Sequence, residues 1–205
     1  MPAQSLQLDA IVLLKQPPGD TFQTLNLFTV EHGVVLVLQR LPKKAGPGSI
    51  LDLFDHASVR LETSNQGRTY FVQETRLLTR HGDIGRNYQA LVLASRLATV
   101  IARNPLDEAG RPQVFALLER ALAAFGRSPR PDIVYLKALY RFAREEGLPL
   151  KEEWFPTLPA SDRAGLGALL NQPLEEQSAA ADLVTRWQRR LEEYLRGHAD
   201  FVIPE

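Results

Sequence analysis

The strongest constraint on this chain is a change of hydrophobic period close to residue 82. Before that point apolar residues recur at every second position, and after it they recur with helical spacing. A half-buried strand alternates because successive side chains leave opposite faces, whereas a helix buries positions three and four apart. A chain carrying the two patterns in succession is expected to fold as α+β, an all-β module followed by an all-α module, and not as an interleaved parallel sheet. The expected division is a β module over residues 1–82 and a helical module over 83–205, and 205 residues with 44% hydrophobic content suffice for a core in each.

Within the first module, Leu6, Leu8, Ala10, Val12 and Leu14 alternate with Gln7 and Asp9 and mark a strand. Pro17, Pro18, Gly19 and Asp20 force a turn. A second strand is expected over 22–29, and Glu31, His32 and Gly33 reverse the chain into a third over 34–38. Residues 40–49 contain two prolines and two glycines, cannot hold a ladder, and are expected as an exposed loop with three cations and no acid. Strands over 57–62 and 69–77 follow, joined by Ser64, Asn65, Gln66 and Gly67. Five short strands with a long third connection suggest a small barrel of the oligonucleotide-binding (OB) fold type. The second module predicts helices over 88–103, 112–125, 131–146, 160–170 and 174–196, forming a bundle. The last carries the apolar stripe Leu183, Val184, Trp187, Leu191, Tyr194 and Leu195.

Catalytic and metal chemistry find no foothold. The chain has no cysteine, which removes thiolate zinc sites, disulfides and cysteine nucleophiles together. His32, His56, His81 and His198 form no pair at metal-binding helical spacing. Gly46, Pro47, Gly48 and Ser49 lack the lysine of a phosphate-cradling loop, and Gly165-Leu166-Gly167 lacks both the third glycine and the preceding strand of a dinucleotide fingerprint. No Gly-x-Ser-x-Gly elbow occurs, and paired acids such as Glu145-Glu146 and Glu192-Glu193 are neighbours that do not face each other on a helix. The expectation is a non-enzymatic protein without cofactor or metal. The start lacks the basic and apolar regions of a signal peptide, and no apolar run approaches membrane-spanning length, so the expected location is cytoplasmic with no membrane partner.

Lys and Arg number 24 against 24 Asp and Glu, giving a formal net charge of +0, so any attraction for nucleic acid has to be local. Two patches qualify. Arg40, Lys43 and Lys44 either track a phosphate backbone or keep an exposed loop soluble. Lys137, Arg141 and Arg144 share one helical face beside Leu136, Leu139, Tyr140 and Phe142. That face either receives an acidic, aromatic-ended peptide or a phosphate chain, or is a solvated face with stems over the core. Phe22, Phe28, Tyr70 and Phe71 are candidates for base stacking if they lie on an open face of the barrel, and core residues otherwise.

Ala10-Ile11-Val12-Leu13, Gly19-Asp20, residues 25–33 (LNLFTVEHG), the basic segment 40–44, Ser49 to Phe54 (SILDLF) and the late Leu191-x-x-Tyr194-Leu195 together resemble the RecO family of bacterial recombination mediators. The resemblance implies an OB-fold barrel followed by a helical domain. It also implies a non-enzymatic role in recombinational DNA repair: binding single-stranded and double-stranded DNA, promoting strand annealing, and loading recombinase together with RecR. On the helical domain it implies docking of the acidic C-terminal tail of single-strand-binding protein. By position, Arg40, Lys43 and Lys44 match the family's basic loop and become nucleic-acid-binding candidates, whereas Lys137, Arg141 and Arg144 are partner-binding candidates on the spacing argument alone.

The chain departs from the family pattern in three ways. The four-cysteine zinc insertion of many members has no counterpart near residues 147–159, so no zinc is expected. The basic loop is thinner, with Pro42, Gly46 and Pro47 among its residues. The first 85 residues carry eight Lys/Arg (Lys15, Arg40, Lys43, Lys44, Arg60, Arg68, Arg76, Arg80) and eight Asp/Glu (Asp9, Asp20, Glu31, Asp52, Asp55, Glu62, Glu74, Asp83). This neutrality keeps open an alternative, a protein-interaction scaffold of the same fold that has lost DNA binding.

Overall fold

The computed structural model describes residues 5–42, 50–63, 69–104 and 106–204. Five strands precede six α-helices, so the fold is α+β. The chain divides into two compact units, Met1–His81 with Pro105–Phe115, and Gly82–Asn104 with Ala116–Glu205.

The first unit holds β1 (Ser5–Lys15), β2 (Phe22–Thr29), β3 (Gly33–Arg40), β4 (His56–Thr63) and β5 (Tyr70–Thr79). They form a closed barrel in the order β1-β2-β3-β5-β4. Four pairings are antiparallel, and a short parallel seam of Val37 to Gln39 against Tyr70 to Val72 completes the ring. The period-two pattern of the sequence fills the inside: Leu8, Ala10, Val12, Leu25, Leu27, Val37, Val59 and Leu61 share one core with Leu51 from the third connection. At some 1.5–3 kcal/mol for each large aliphatic side chain buried, this cluster is the main source of the unit's stability.

The outward face is apolar at one end as well. Ile11 and Phe28 are fully buried although they belong to the outward set of their strands. Phe115, from the segment that joins this unit out of sequence, covers Phe28 at 5.8 Å and His56 at 5.4 Å between ring centroids. The same segment ties down the β2–β3 turn, where Gly33 takes the positive φ of 66° that glycine tolerates best. The Arg111 guanidinium lies against Gly33 and donates to the Glu31 carbonyl at 2.8 Å.

In the third connection, Phe54 also adopts a positive φ, 67°, a left-handed conformation that its sequence position does not announce. It is held by hydrogen bonds from Phe54 N–H to the Val12 carbonyl and from Val12 N–H to the Asp55 carbonyl, both 3.0 Å, beside the register shift of β1. The expected turn at 64–67 lies outside the described residues, as does most of the expected loop over 40–49.

The second unit opens with a 3-10 turn, Gly82–Arg86, and α1 (Tyr88–Arg103), whose first turn is capped by the Asn87 side chain accepting from Ala90 N–H. It continues with α2 (Arg111–Arg127), of which the residues from Ala116 belong here, and α3 (Pro131–Glu145). A π-helical turn, Leu150–Trp154, runs into the short α4 (Phe155–Thr157), and α5 (Ala160–Asn171) and α6 (Ala181–Arg196) complete the unit. α3 packs on α1 and α6 and is buried on nearly every side, with Tyr135, Leu136, Leu139 and Phe142 in the core.

The helix expected over 174–196 is shorter than its apolar pattern suggested. A 3-10 turn, Leu174–Glu176, is followed by extended backbone, and α6 starts only at Ala181. Side chains stabilise the break. Gln177 Nε2 donates to the carbonyls of Leu169, Gln172 and Pro173, and Arg130 Nη1 donates to the Ala179 carbonyl at 2.8 Å. No helix among the described residues is long and apolar enough to cross a membrane.

Candidate functional site

In the barrel, strand alternation decides which aromatics are available. Leu25, Leu27 and Val37 point inward, so Phe22, Thr24 and Asn26 of β2 and Leu36, Leu38 and Arg40 of β3 point outward. Phe22 pairs in register with Arg40, and Leu38 with Phe71 across the parallel seam. Phe22 and Phe71 are partly exposed and meet edge to face, with ring centroids 5.7 Å apart and an interplanar angle of 63°. Leu36 extends the patch at 49% exposure. The outward face of β2, β3 and β5 thus offers two aromatic rings, aliphatic surface and two exposed guanidinium groups, Arg40 beside Phe22 and Arg76 further along β5. Rings and a cation placed in this way have the chemistry to stack unpaired bases beside a phosphate. Of the other two aromatic candidates, Phe28 is sealed under Phe115, and Tyr70 packs against the barrel core. Lys43 and Lys44 lie outside the described residues.

Of the other described barrel cations, Lys15, Arg60 and Arg80 are paired with carboxylates, and Arg76 is exposed with no ion pair among the described residues. Lys15 pairs with Asp52 at 2.9 Å, Arg60 with Glu62 and Glu74, and Arg80 with Asp55 at 2.7 Å. The Arg80 pair is bidentate on a buried carboxylate that also accepts the Asp52 N–H. The hydrogen bond and charge of Asp55 push the Arg80 guanidinium further up. Partial burial acts to raise the Asp52 carboxyl, but the Lys15 hydrogen bond, the Leu53 N–H and the nearby cations outweigh it and hold the group below the usual range.

In the helical unit, Tyr140, Arg141 and Arg144 of α3, Lys151 of the π turn, Phe155 of α4 and Leu170 of α5 line a cleft of about 330 Å³. Tyr140 meets Phe155 edge to face at 6.1 Å and Trp154 at 6.3 Å, so the aromatic wall is a packed cluster. Burial pushes the Tyr140 hydroxyl up. Arg141 also borders a second, smaller pocket of about 100 Å³, with Arg120 and Lys137 at its rim and Leu117, Ala121 and Leu174 among its apolar walls. Basic rim and aromatic or aliphatic floor together suit an anionic group attached to an apolar side chain.

The three cations of the expected face are not equivalent. Arg141 and Arg144 are exposed at the larger cleft. Lys137 turns its ammonium to the end of α5, donating to the carbonyls of Leu169 at 3.0 Å and of Gln172. Burial and the charge of Arg141 pull its pKa down. Leu136, Leu139 and Phe142, expected as groove material, are buried in the core. Lys151, Phe155 and Arg120 carried no periodic signal, because the π turn and the approach of α2 bring them in from other segments. Among the described residues no group of three His, Asp or Glu side chains could hold a metal ion. No family model matches the chain, and no curated protein matches it.

Proposed function

We propose that the chain is a recombinational DNA-repair accessory protein of the kind the RecO resemblance implies, acting in the cytoplasm without catalysis. Its barrel is read as an OB-fold that binds DNA through the outward face of β2, β3 and β5. Its helical unit is read as the dock for an acidic C-terminal tail of single-strand-binding protein, with Arg141 and Arg144 as the anion contacts. Strand annealing, and recombinase loading with RecR, follow from the same resemblance. The observation that carries the reading is the Phe22–Phe71 pair with Arg40 on an outward barrel face. Rings available for stacking beside a cation are the means by which single strands are commonly held.

The deciding experiment is a titration with single-stranded oligonucleotide across salt concentrations. Arg40→Glu and the double variant Lys43→Glu, Lys44→Glu are each expected to weaken binding and to make its salt dependence shallower. A specific observation favours a second reading, the scaffold without DNA affinity: Lys15, Arg60 and Arg80 are already paired with carboxylates. Absence of binding by the wild-type chain at low salt selects that reading.

A further inference from the structure

The barrel interior is apolar through its middle, where Leu25, Leu27 and Val37 are fully buried. At the next inward-facing pair toward the end that carries Phe22 and Arg40, it turns polar. Gln23 and Gln39 stand opposite each other on β2 and β3, 2% and 4% exposed. A buried amide is unfavourable unless its hydrogen bonds are met, and a leucine would fill either position without that cost. Packing alone therefore gives no reason for glutamine at either place.

Both amides reach out of the ladder to loop backbone. Gln23 Nε2 donates to the carbonyl of Gln16, in the connection between β1 and β2, and to its neighbour Thr24 at 3.3 Å. Gln39 Oε1 accepts the Leu51 N–H at 3.0 Å, in the connection between β3 and β4. The bases of the two connections are also joined directly, by a 2.8 Å hydrogen bond from Leu41 N–H to the Thr21 carbonyl. The next rung outward is Phe22 opposite Arg40. Inward amide and outward contact residue are thus chain neighbours on both strands.

We propose that Gln23 and Gln39 are positioning residues. They anchor Gln16 and Leu51, described residues of the two flanking connections, so that the Phe22–Arg40 rung meets single-stranded nucleic acid in one preformed geometry. The proposal rests on the nucleic-acid reading above. Preorganisation of this kind raises affinity by removing the ordering cost at the moment of binding, without adding a contact.

The test titrates the full chain with a fluorescent oligothymidylate of about 12 nucleotides at several salt concentrations, and follows amide exchange at Leu51. Gln39→Leu is expected to lose affinity about tenfold, with the slope of log K against log salt unchanged because no phosphate contact is removed. Gln39→Glu keeps the acceptor for the Leu51 N–H and is expected to preserve both slow exchange there and most of the affinity. Gln23→Met fills a similar space with no donor for the Gln16 carbonyl and is expected to lose affinity as Gln39→Leu does. If Gln39→Leu does not fold, the contrast between Gln39→Glu and Gln23→Met decides alone. Wild-type affinity in Gln23→Met, or a changed salt slope in Gln39→Leu, overturns the positioning role and leaves the nucleic-acid reading standing. A wild-type chain that binds no oligonucleotide overturns that reading, and the positioning role with it.

Discussion

The Tyr135 hydroxyl of α3 donates a 2.9 Å hydrogen bond to Glu192 Oε1 of α6, and Arg96 of α1 closes on the other carboxylate oxygen at the same distance. Arg196 adds a longer contact at 3.4 Å, so one buried carboxylate ties three helices. Burial, with the Glu192 charge next in importance, pushes the Tyr135 hydroxyl far above its ordinary range. Above about pH 10, unfolded tyrosine ionises while Tyr135 stays protonated in the native state. The native state then holds the extra proton, so stability is full below that pH and falls as pH rises. Tyr135→Phe is expected to cost about 1–2 kcal/mol at neutral pH and to flatten the alkaline decline, as read by urea unfolding at pH 8 and pH 10.5.

Gly33 is constrained twice, by its positive φ and by the guanidinium of Arg111, which a Cβ would approach to 3.3 Å. Gly33→Ala is expected to destabilise by about 1–2 kcal/mol from the left-handed backbone alone, plus whatever displacing Arg111 costs. A double-mutant cycle with Arg111→Ala separates the two terms. The cost of Gly33→Ala is expected to be smaller in the Arg111→Ala background by about 0.5 kcal/mol, and strict additivity would show that the arginine gives way freely.

At the helical cleft, Arg141→Glu and Lys137→Met are expected to part company. The first removes a rim charge common to both pockets and should weaken capture of an acidic, aromatic-ended peptide by at least about tenfold with little change in Tm. The second removes a donor from the end of α5 and should lower Tm, with a smaller effect on the peptide. Isothermal titration paired with thermal unfolding distinguishes them, and equal peptide loss in both variants would make Lys137 a contact residue after all.

Phe71→Ala tests whether the barrel face stacks bases. Loss of about 1–3 kcal/mol in binding to a single-stranded oligonucleotide is expected, with duplex binding of the same sequence unchanged, since paired bases are already stacked on one another. A parallel loss for duplex would mean that Phe71 only supports the barrel.

Much of this fold was legible because periodicity reports burial. Leu25, Leu27 and Val37 alternate in sequence and fill the barrel, and the helix of residues 88–103 runs between the asparagines that bracket it. What periodicity does not report is the partner that a side chain finds. Gln177 interrupts what the apolar pattern would continue as helix, and no local signal marks it. Lys137 has the spacing of a docking face, but its ammonium finds carbonyls 32 and 35 residues away. Phe28 has the composition of a stacking residue, and Phe115, far along the chain, decides otherwise. Periodicity places a side chain on a face without saying what covers that face.

Among the described residues the parallel seam between β3 and β5 joins three residue pairs, while β2 and β3 are joined over eight. Sub-global opening begins where few contacts have to be lost, so the barrel has a built-in line of parting along Val37 to Gln39. Leu38 and Phe71 sit on that line. A strand of nucleic acid laid across them would act as a clasp, and hydrogen exchange of the seam amides would slow on binding even if every other amide kept its rate.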